Sequence, residues 1–452
     1  MKTRALFQYY RYLWRCAKKY LKKHNIYTIG VNGSVGKTSC RMIIHQTLSK
    51  ALPQKKIYTS PKNFNGELWM SLSILQIESR EPKILSFLKV WCHALKKAFF
   101  WKKEYDIIVL EYWIDRPKEM EFLVSINKPH IWVFTAIDAV HSEQFWNPSE
   151  IAKEEVKMVQ NTREIVFLNK DDSYAQQLEW TLGIDEFTYH TLGWNVADIF
   201  FEEKEIKVDT KNENLLLSKW EVTIKWKKYK VETNLLWKPN YWYLSIAVAI
   251  ADIVYYKQTG KEFNLKDFLK EPLIYQLQPW RCSIFKGKHD SILVDSTYNA
   301  SPLSMRKLID TTLQIQKSLK EKRKILLVLW DMRELGDLTE KEHRLLAWYV
   351  QQSADHIVLI GNYMENYLKD ELLKIGSTEK DFNLCKNSKE VWKFVDKFLS
   401  DSDEKWIILI KGSQNTIFLE EATKALLSDK SDEKYLTRQS KWRLDKKNAS
   451  FN

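Results

Sequence analysis

Glycine is scarcer than a chain of this size should tolerate: 12 of 452 residues, against a usual share of about 7%. Left-handed turns and close backbone approaches normally draw on glycine. Tryptophan, usually rare, occurs 19 times, and the two residues together come near the usual share of glycine alone. Cysteine is sparse as well. Cys16, Cys40, Cys92, Cys282 and Cys385 stand apart with no C-x-x-C pair, which excludes a disulfide framework or zinc ribbon and fits a reducing compartment. No apolar run approaches the roughly 18 residues of a membrane span. The basic N-terminus leads into no apolar signal core, so secretion is not expected.

What is present is ample for folding. The chain is 44% hydrophobic, which excludes wholesale disorder, and its 452 residues predict two or three domains. A formal net charge of +13 points to polyanionic partners: phosphates, nucleic acid or an anionic membrane face. No RNA- or DNA-binding motif accompanies that charge, so nucleic acid is not an expected partner.

Residues 1–25 read as a basic amphipathic helix, with Leu6, Tyr10, Leu13, Trp14, Ala17 and Leu21 at helical spacing. Such a helix either packs on the next domain or docks on an anionic membrane or partner protein. From residue 26 the pattern turns α/β. A strand at 26–29, a Gly-rich turn and a helix over about 37–50 are followed by apolar strand runs at 107–110, 131–135 and 165–168. Short alternating runs over 196–236 predict a small antiparallel insertion, and an Ala- and Ile-rich helix follows over about 241–256. The βα rhythm restarts after a boundary near 275–280, with strands at 292–294, 325–329, 357–360 and 407–410. The expected division is 1–25 basic helix, 26–276 central domain, 277–428 C-terminal domain and 429–452 charged tail. The expected fold class is α/β: a central domain with a parallel sheet and small antiparallel insertion, then a Rossmann-like C-terminal domain.

The turn after the first strand carries the chemistry. In Asn32-Gly33-Ser34-Val35-Gly36-Lys37-Thr38-Ser39, glycines let backbone N–H groups curl around phosphate oxygens, and the helix N-terminus adds its dipole. Lys37 can reach the β- and γ-phosphates, and the Thr38 hydroxyl can ligate Mg²⁺. The strict pattern would need glycine where Val31 stands; the shorter Gly33-x-x-Gly36-Lys37-Thr38 form is present. The expected ligands are ATP and Mg²⁺.

Beyond this loop the chain resembles the Mur ligases, in particular the MurF type. The short loop 33–38 is similar to that family's P-loop. Pro61-Lys62-Asn63-Phe64-Asn65-Gly66 is similar to its Asn-rich segment, and Leu110-Glu111-Tyr112-Trp113 to its metal-binding glutamate motif. The stretch 135–145 with His141 resembles the following histidine motif, and Trp237-Lys238-Pro239-Asn240 the adenine-approaching segment. Gln278-Pro279-Trp280-Arg281, the string DSTYNASP from Asp295, the string WDMRELG from Trp330 with His343 downstream, and Lys411-Gly412-Ser413 follow in the family's order. The resemblance covers about residues 26–425.

The resemblance implies ATP-dependent amide formation through an acyl phosphate, with a UDP-muramoyl peptide and D-alanyl-D-alanine as substrates in peptidoglycan precursor synthesis. It implies metal contacts from Thr38, Glu111, His141 and Glu155, nucleotide contacts from residues 32–39, Asn240 and Asp295, and Arg281 facing the phosphates. Lys411 and Ser413 would position the amine. Asp331 and Glu334 are either substrate contacts or loop caps. The expected location is cytoplasmic, at the inner membrane face if the basic helix binds lipid.

Three departures stand out. The family's N-terminal substrate domain has no counterpart ahead of this P-loop, which leaves open a ligase for another acid and amine, or an ATP-binding membrane-surface scaffold. A lysine whose carbamate bridges metal in many members aligns with Glu155, which either supplies that carboxylate itself or marks a slipped register with Lys153 or Lys157 in the role. Finally Trp69, Trp113, Trp132, Trp237, Trp280 and Trp330, with Trp146, Trp194 and Trp242, stand where the resemblance calls for glycine. One residue type recurring at such places, rather than a scatter of types, points to UGA codons read as glycine in the cell and translated here as tryptophan.

Overall fold

The computed structural model describes residues 4–60, 67–77, 84–114, 118–136, 153–170, 172, 176, 185–190, 198–205, 218–224, 227–235, 238–276, 283–297, 299–319, 321–412 and 418–436. In chain order the first elements are α1 (Arg4–Lys23), β1 (Tyr27–Asn32), α2 (Lys37–Ala51), β2 (Ile57–Thr59), α3 (Glu67–Ile74), α4 (Ile84–Phe99) and β3 (Ile107–Glu111). Then come α5 (Glu119–Ile126), β4 (Ile131–Phe134), β5 (Ile165–Asn169), β6 (Asp185–His190), β7 (Ile199–Glu205), β8 (Ser218–Ile224) and β9 (Lys227–Thr233). Among the described residues these strands form one nine-stranded sheet, ordered β2-β3-β1-β4-β5-β6-β7-β8-β9. Pairing is parallel from β2 to β7 and antiparallel from β7 to β9. The antiparallel insertion read from the sequence is therefore an extension of the main sheet.

The central strands are apolar on both faces because both faces are covered. On one side α2 and the long helix Lys238–Thr259 bury Ile29, Val31, Val109, Val133 and Phe167. On the other, α1, α3, α4 and α5 bury Ile108, Leu110, Trp132 and Val166. A second sheet, ordered β10-β11-β15-β12-β13-β14, follows in the C-terminal half. It is built from β10 (Ser283–Lys286), β11 (Ile292–Ser296), β12 (Lys324–Trp330), β13 (His356–Ile360), β14 (Phe382–Cys385) and β15 (Trp406–Lys411). Only the β10–β11 pair is antiparallel. Helices Pro302–Ser318 and Thr339–Ser353 cover one face, and Ser388–Ser400 and Glu420–Leu426 the other.

The N-terminal helix resolves the two sequence alternatives in favour of packing. Leu13, Ala17 and Tyr20 are fully buried in the same core as α3–α5. Trp14 Nε1 donates to the Ser125 carbonyl at 3.0 Å, and Lys23 Nζ to the Phe99 carbonyl at 2.8 Å. Its apolar face is thus occupied, and Arg15, Lys18, Lys19 and Lys22 stay exposed on the outside. No described helix is long and apolar enough to cross a membrane. Leu13→Ala should destabilise the chain by about 2–5 kcal/mol in urea unfolding, while Lys22→Ala should stay within about 0.5 kcal/mol.

Candidate active site

The site is built on the turn between β1 and α2. Gly33 and Gly36 take φ of +118° and +82°, and a Cβ on either would collide, with Thr135 and Tyr243 respectively. Space and conformation both demand glycine there. The end of β4 buttresses the turn. Ser34 N–H donates to the Ala136 carbonyl at 2.7 Å, and Thr135 Oγ1 donates to the carbonyls of Asn32 at 2.9 Å and Val35 at 2.6 Å. Asn169 at the end of β5 donates to the Thr135 carbonyl at 2.7 Å, so three adjacent parallel strands hold one loop.

Lys37, Thr38 and Ser39 open α2 and are all buried. Lys37 Nζ folds back to donate to the carbonyls of Gly33 and Ser34, the latter at 3.2 Å, and stands 4.3 Å from the centre of the Trp113 ring. Thr38 Oγ1 lies 3.1 and 3.0 Å from the two carboxylate oxygens of Glu111. The parallel register of β1 and β3 sets Val31 beside Glu111, which brings the carboxylate to the edge where the loop begins.

Sequence reasoning overlooked Arg41, three residues after Thr38 on the same helical face. Its side chain is 2% exposed, and its Nε is 3.3 Å from Glu111 Oε2. Its Nη1 donates to Thr59 Oγ1 at 2.5 Å and to the Ser60 carbonyl at 2.6 Å. Arg41, Ser60, Met70, Ser73 and Glu111 line a recess at this end of the sheet. No motif marks it in the sequence; its role shows only in the partners that folding brings to it.

Thr38 and Glu111 bring a hydroxyl and a carboxylate together, the hard oxygen donors that suit Mg²⁺. Glu155 is also deeply buried, but it is tied to the end of β1: Asn32 Nδ2 donates to its Oε2 at 2.5 Å and to its carbonyl at 3.2 Å. Asn32 Oδ1 in turn accepts from the Trp132 indole N–H. Among the described residues no three His, Cys, Asp or Glu side chains converge as a metal site. His141, Arg281 and Ser413 lie outside the described residues. Asn240, on the long helix, is 3% exposed, and its Oδ1 is buried with no hydrogen-bond partner among the described residues. An orphaned acceptor of this kind suits an amino group such as a nucleobase presents.

The C-terminal candidates face inward. Asp295 is fully buried, and its Oδ1 accepts from Thr423 Oγ1 at 2.8 Å. Burial, reinforced by neighbouring Glu420, pushes its pKa up to about 7 against the pull of Thr423 and Lys411. Lys411, one residue further along the sheet edge, donates to the Asn299 carbonyl and so ties down the loop after β11. Asp331 takes the cap alternative. Its Oδ1 accepts from Met364 N–H at 2.8 Å, and the neighbouring Gly361, at φ +103°, leaves no room for a side chain beside it. Burial raises the Asp331 pKa, partly offset by the backbone donors of Met364, Tyr363 and Asn362. Glu334 holds φ +63° in the same loop. The fully buried His343 accepts Met332 N–H on Nε2 at 3.1 Å and so donates from Nδ1 to the Thr339 carbonyl at 2.7 Å.

Comparison with known proteins identifies the family and the fold. Residues 31–251 match the Mur ligase middle domain, and residues 280–414 match the Mur ligase glutamate ligase domain. A UDP-N-acetylmuramoyl-tripeptide–D-alanyl-D-alanine ligase of Borreliella burgdorferi is 26% identical over 396 residues, covering 87% of this chain and 73% of its own. MurF of Acinetobacter baumannii superposes with a TM-score of 0.69 at 17% identity, over 92% of this chain and 80% of its own. MurF of Thermotoga maritima in complex with ADP gives 0.67 at 19% identity, over 92% and 83%.

Folding raises the Asp295 pKa, so the folded chain holds that proton more tightly than the unfolded chain. The associated stability is full below the ordinary value of 3.8 and is lost as pH rises through about 7. Asp295→Asn should flatten this fall, read as a smaller drop in urea midpoint across that window.

Proposed function

The chain belongs to the Mur ligase family, and from that premise we propose that it joins the free carboxylate of a UDP-N-acetylmuramoyl-tripeptide to the amine of D-alanyl-D-alanine at the expense of ATP. The observation that carries the reading is the pairing of Thr38 with Glu111 one residue beyond Lys37, at a loop shaped for phosphate. In this reading residues 26–276 bind ATP and residues 277–428 close over it with the amine substrate.

The peptide carboxylate attacks the γ-phosphorus, ADP leaves, and an acyl phosphate forms. The amine nitrogen then attacks the acyl carbon, phosphate leaves, and the amine proton passes to solvent. The backbone N–H groups of the loop and the start of α2 hold the phosphates, and Lys37 neutralises charge as it spreads over the transferring oxygens. Mg²⁺ would be held by Thr38 and Glu111, joined in this reading by His141 and Glu155, and it supplies charge neutralisation on the triphosphate. Glu155 supplies as a built-in carboxylate what a carbamylated lysine supplies elsewhere in the family. Asn240 receives the base, Asp295 the ribose, Arg281 faces the phosphates, and Lys411 with Ser413 positions the amine. Asp295 Oδ1 is held by Thr423 while its Oδ2 has no partner among the described residues and is left to accept from the ribose, whereas Lys411 must leave the Asn299 carbonyl to meet the amine substrate.

The purified protein, given ATP, Mg²⁺, UDP-N-acetylmuramoyl-tripeptide and D-alanyl-D-alanine, should release ADP and the condensed product, both seen by mass spectrometry and both dependent on each substrate. ADP release with a different acid and amine would move the reading to another member of the family's chemistry. Nucleotide binding without any acid-dependent turnover would leave a scaffold. Lys37→Ala should lower turnover at least about 100-fold. Glu155→Gln should raise the Mg²⁺ concentration needed for half-maximal turnover, and Lys153→Ala, on an exposed side chain, should not. The reverse pattern would place the metal carboxylate on Lys153.

A further inference from the structure

The described tryptophans are not all placed alike. Trp14, Trp101 and Trp406 each donate their indole N–H at 3.0 Å, to the Ser125 carbonyl, Glu104 Oε1 and Ser402 Oγ respectively. Trp132, although it stands where glycine was expected, is fully buried and donates to Asn32. These indoles have hydrogen-bonded places in the fold. Trp242 is different. It lies two residues from Asn240 on the long helix, and its Nε1 is buried with no acceptor among the described residues. A buried donor left in that state is costly, and it is uncommon in a native fold.

Trp113 is the case with chemical consequences. It follows Glu111 by two residues, and its ring centre is 4.3 Å from Lys37 Nζ. An ammonium has three N–H bonds. Here two are directed to the carbonyls of Gly33 and Ser34, and the indole face is the third neighbour. The group that must meet a triphosphate is therefore engaged on every side by its own chain. Glycine at 113 would remove the ring and leave that side of the ammonium open to phosphate. The composition points the same way, with 12 glycines and 19 tryptophans in one chain.

We propose that position 113 is glycine in the protein made by its own cells, through a UGA codon decoded there as glycine, and that position 242 is of the same kind. The inference rests on Lys37 being the phosphate lysine of the reading above, and it does not depend on which acid and amine are joined. Tryptophan at 113 places an aromatic lid on the nucleotide site. Glycine there leaves the site open.

Two measurements test it. The first is the mass of the peptide spanning position 113, taken from protein isolated from its native cells, together with the codon at that position. Glycine encoded by UGA is expected; tryptophan, or a UGG codon, overturns the proposal. The second is binding of a fluorescent ATP analogue, without acid or amine, to the full chain as written and to its Trp113→Gly and Trp113→Ala forms. Freeing Lys37 from a cation–π contact should tighten binding roughly tenfold in both variants, and equal affinity in all three overturns the lid. Trp101→Gly serves as the contrast. It loses a satisfied indole and should lower the melting temperature with no gain in nucleotide affinity. Because no condensation is measured, failure of the ligase reading and failure of this proposal give different results.

Discussion

The Glu111 carboxylate is the constraint around which the central domain is arranged. It is about one-tenth exposed and meets Thr38 Oγ1 through both oxygens and Arg41 Nε through one. A carboxylate so placed loses most of its hydration and needs close partners to remain charged. Both partners come from one turn of α2, and α2 can present them only because the glycine turn delivers the chain from β1 into the helix at that angle. Arg41 is itself desolvated, and the ends of β2 supply its compensation through Thr59 and Ser60. Removing either charge would strand the other, so loop, helix and two strand ends are fixed together. The same grouping of oxygen donors is what a divalent ion would use. The fold's electrostatic requirement and the proposed chemistry therefore fall on the same atoms.

Much of this was legible in the sequence, and the parts that were not have physical causes. Most of the central parallel strands read correctly to within two residues, β1 running three residues further than expected, because strands covered on both faces are apolar throughout, as Ile107-Ile108-Val109-Leu110 and Ile131-Trp132-Val133-Phe134 show. β9 falls inside the antiparallel insertion read over 196–236, although its own bounds were not read, because Lys227 and Lys228 on this outermost strand blunt the alternating pattern. β6 went unread because Asp185-Glu186-Phe187-Thr188-Tyr189-His190 carries no apolar run. The P-loop, Lys37 and Thr38 were named because phosphate chemistry requires fixed residue types at fixed spacing, and Glu111 because its motif resembles the family's. Arg41 was not, because a lysine or arginine one helical turn into α2 carries no such requirement, and its importance comes only from the partners that folding brings to it.

The C-terminal residues show the limit of motif transfer. Asp295 and Lys411 were named for ligand contacts and Asp331 as either a substrate contact or a loop cap; in the described structure each hydrogen-bonds inside the domain, with Asp295 Oδ2 left unpartnered among the described residues. Asp295 holds the helix Glu420–Leu426 through Thr423, Lys411 holds the Asn299 loop, and Asp331 caps the segment beginning at 362. A motif specifies which residues sit at the ends of β11, β12 and β15. It does not specify whether their polar atoms face a ligand or a neighbouring loop, since either arrangement satisfies a buried group.

Local rules and global fold agree through most of this chain, which is what makes the exceptions informative. Gly33 and Gly36 are glycine where the backbone is left-handed and crowded, and Gly361 is glycine where Asp331 leaves no space. Glu334 takes φ +63° without being glycine, in a loop that the sequence left open between substrate contact and cap. Trp113 and Trp242 fit neither pattern. Trp113 lies over Lys37, the lysine proposed for phosphate, while Trp242 packs against the central core with its Nε1 unpartnered among the described residues. The unpartnered Nε1 of Trp242 is shared with other buried polar atoms of this structure and decides little by itself. Trp113 decides more, because its ring occupies the one side of the Lys37 ammonium that the Gly33 and Ser34 carbonyls leave open, and glycine at 113 would free it.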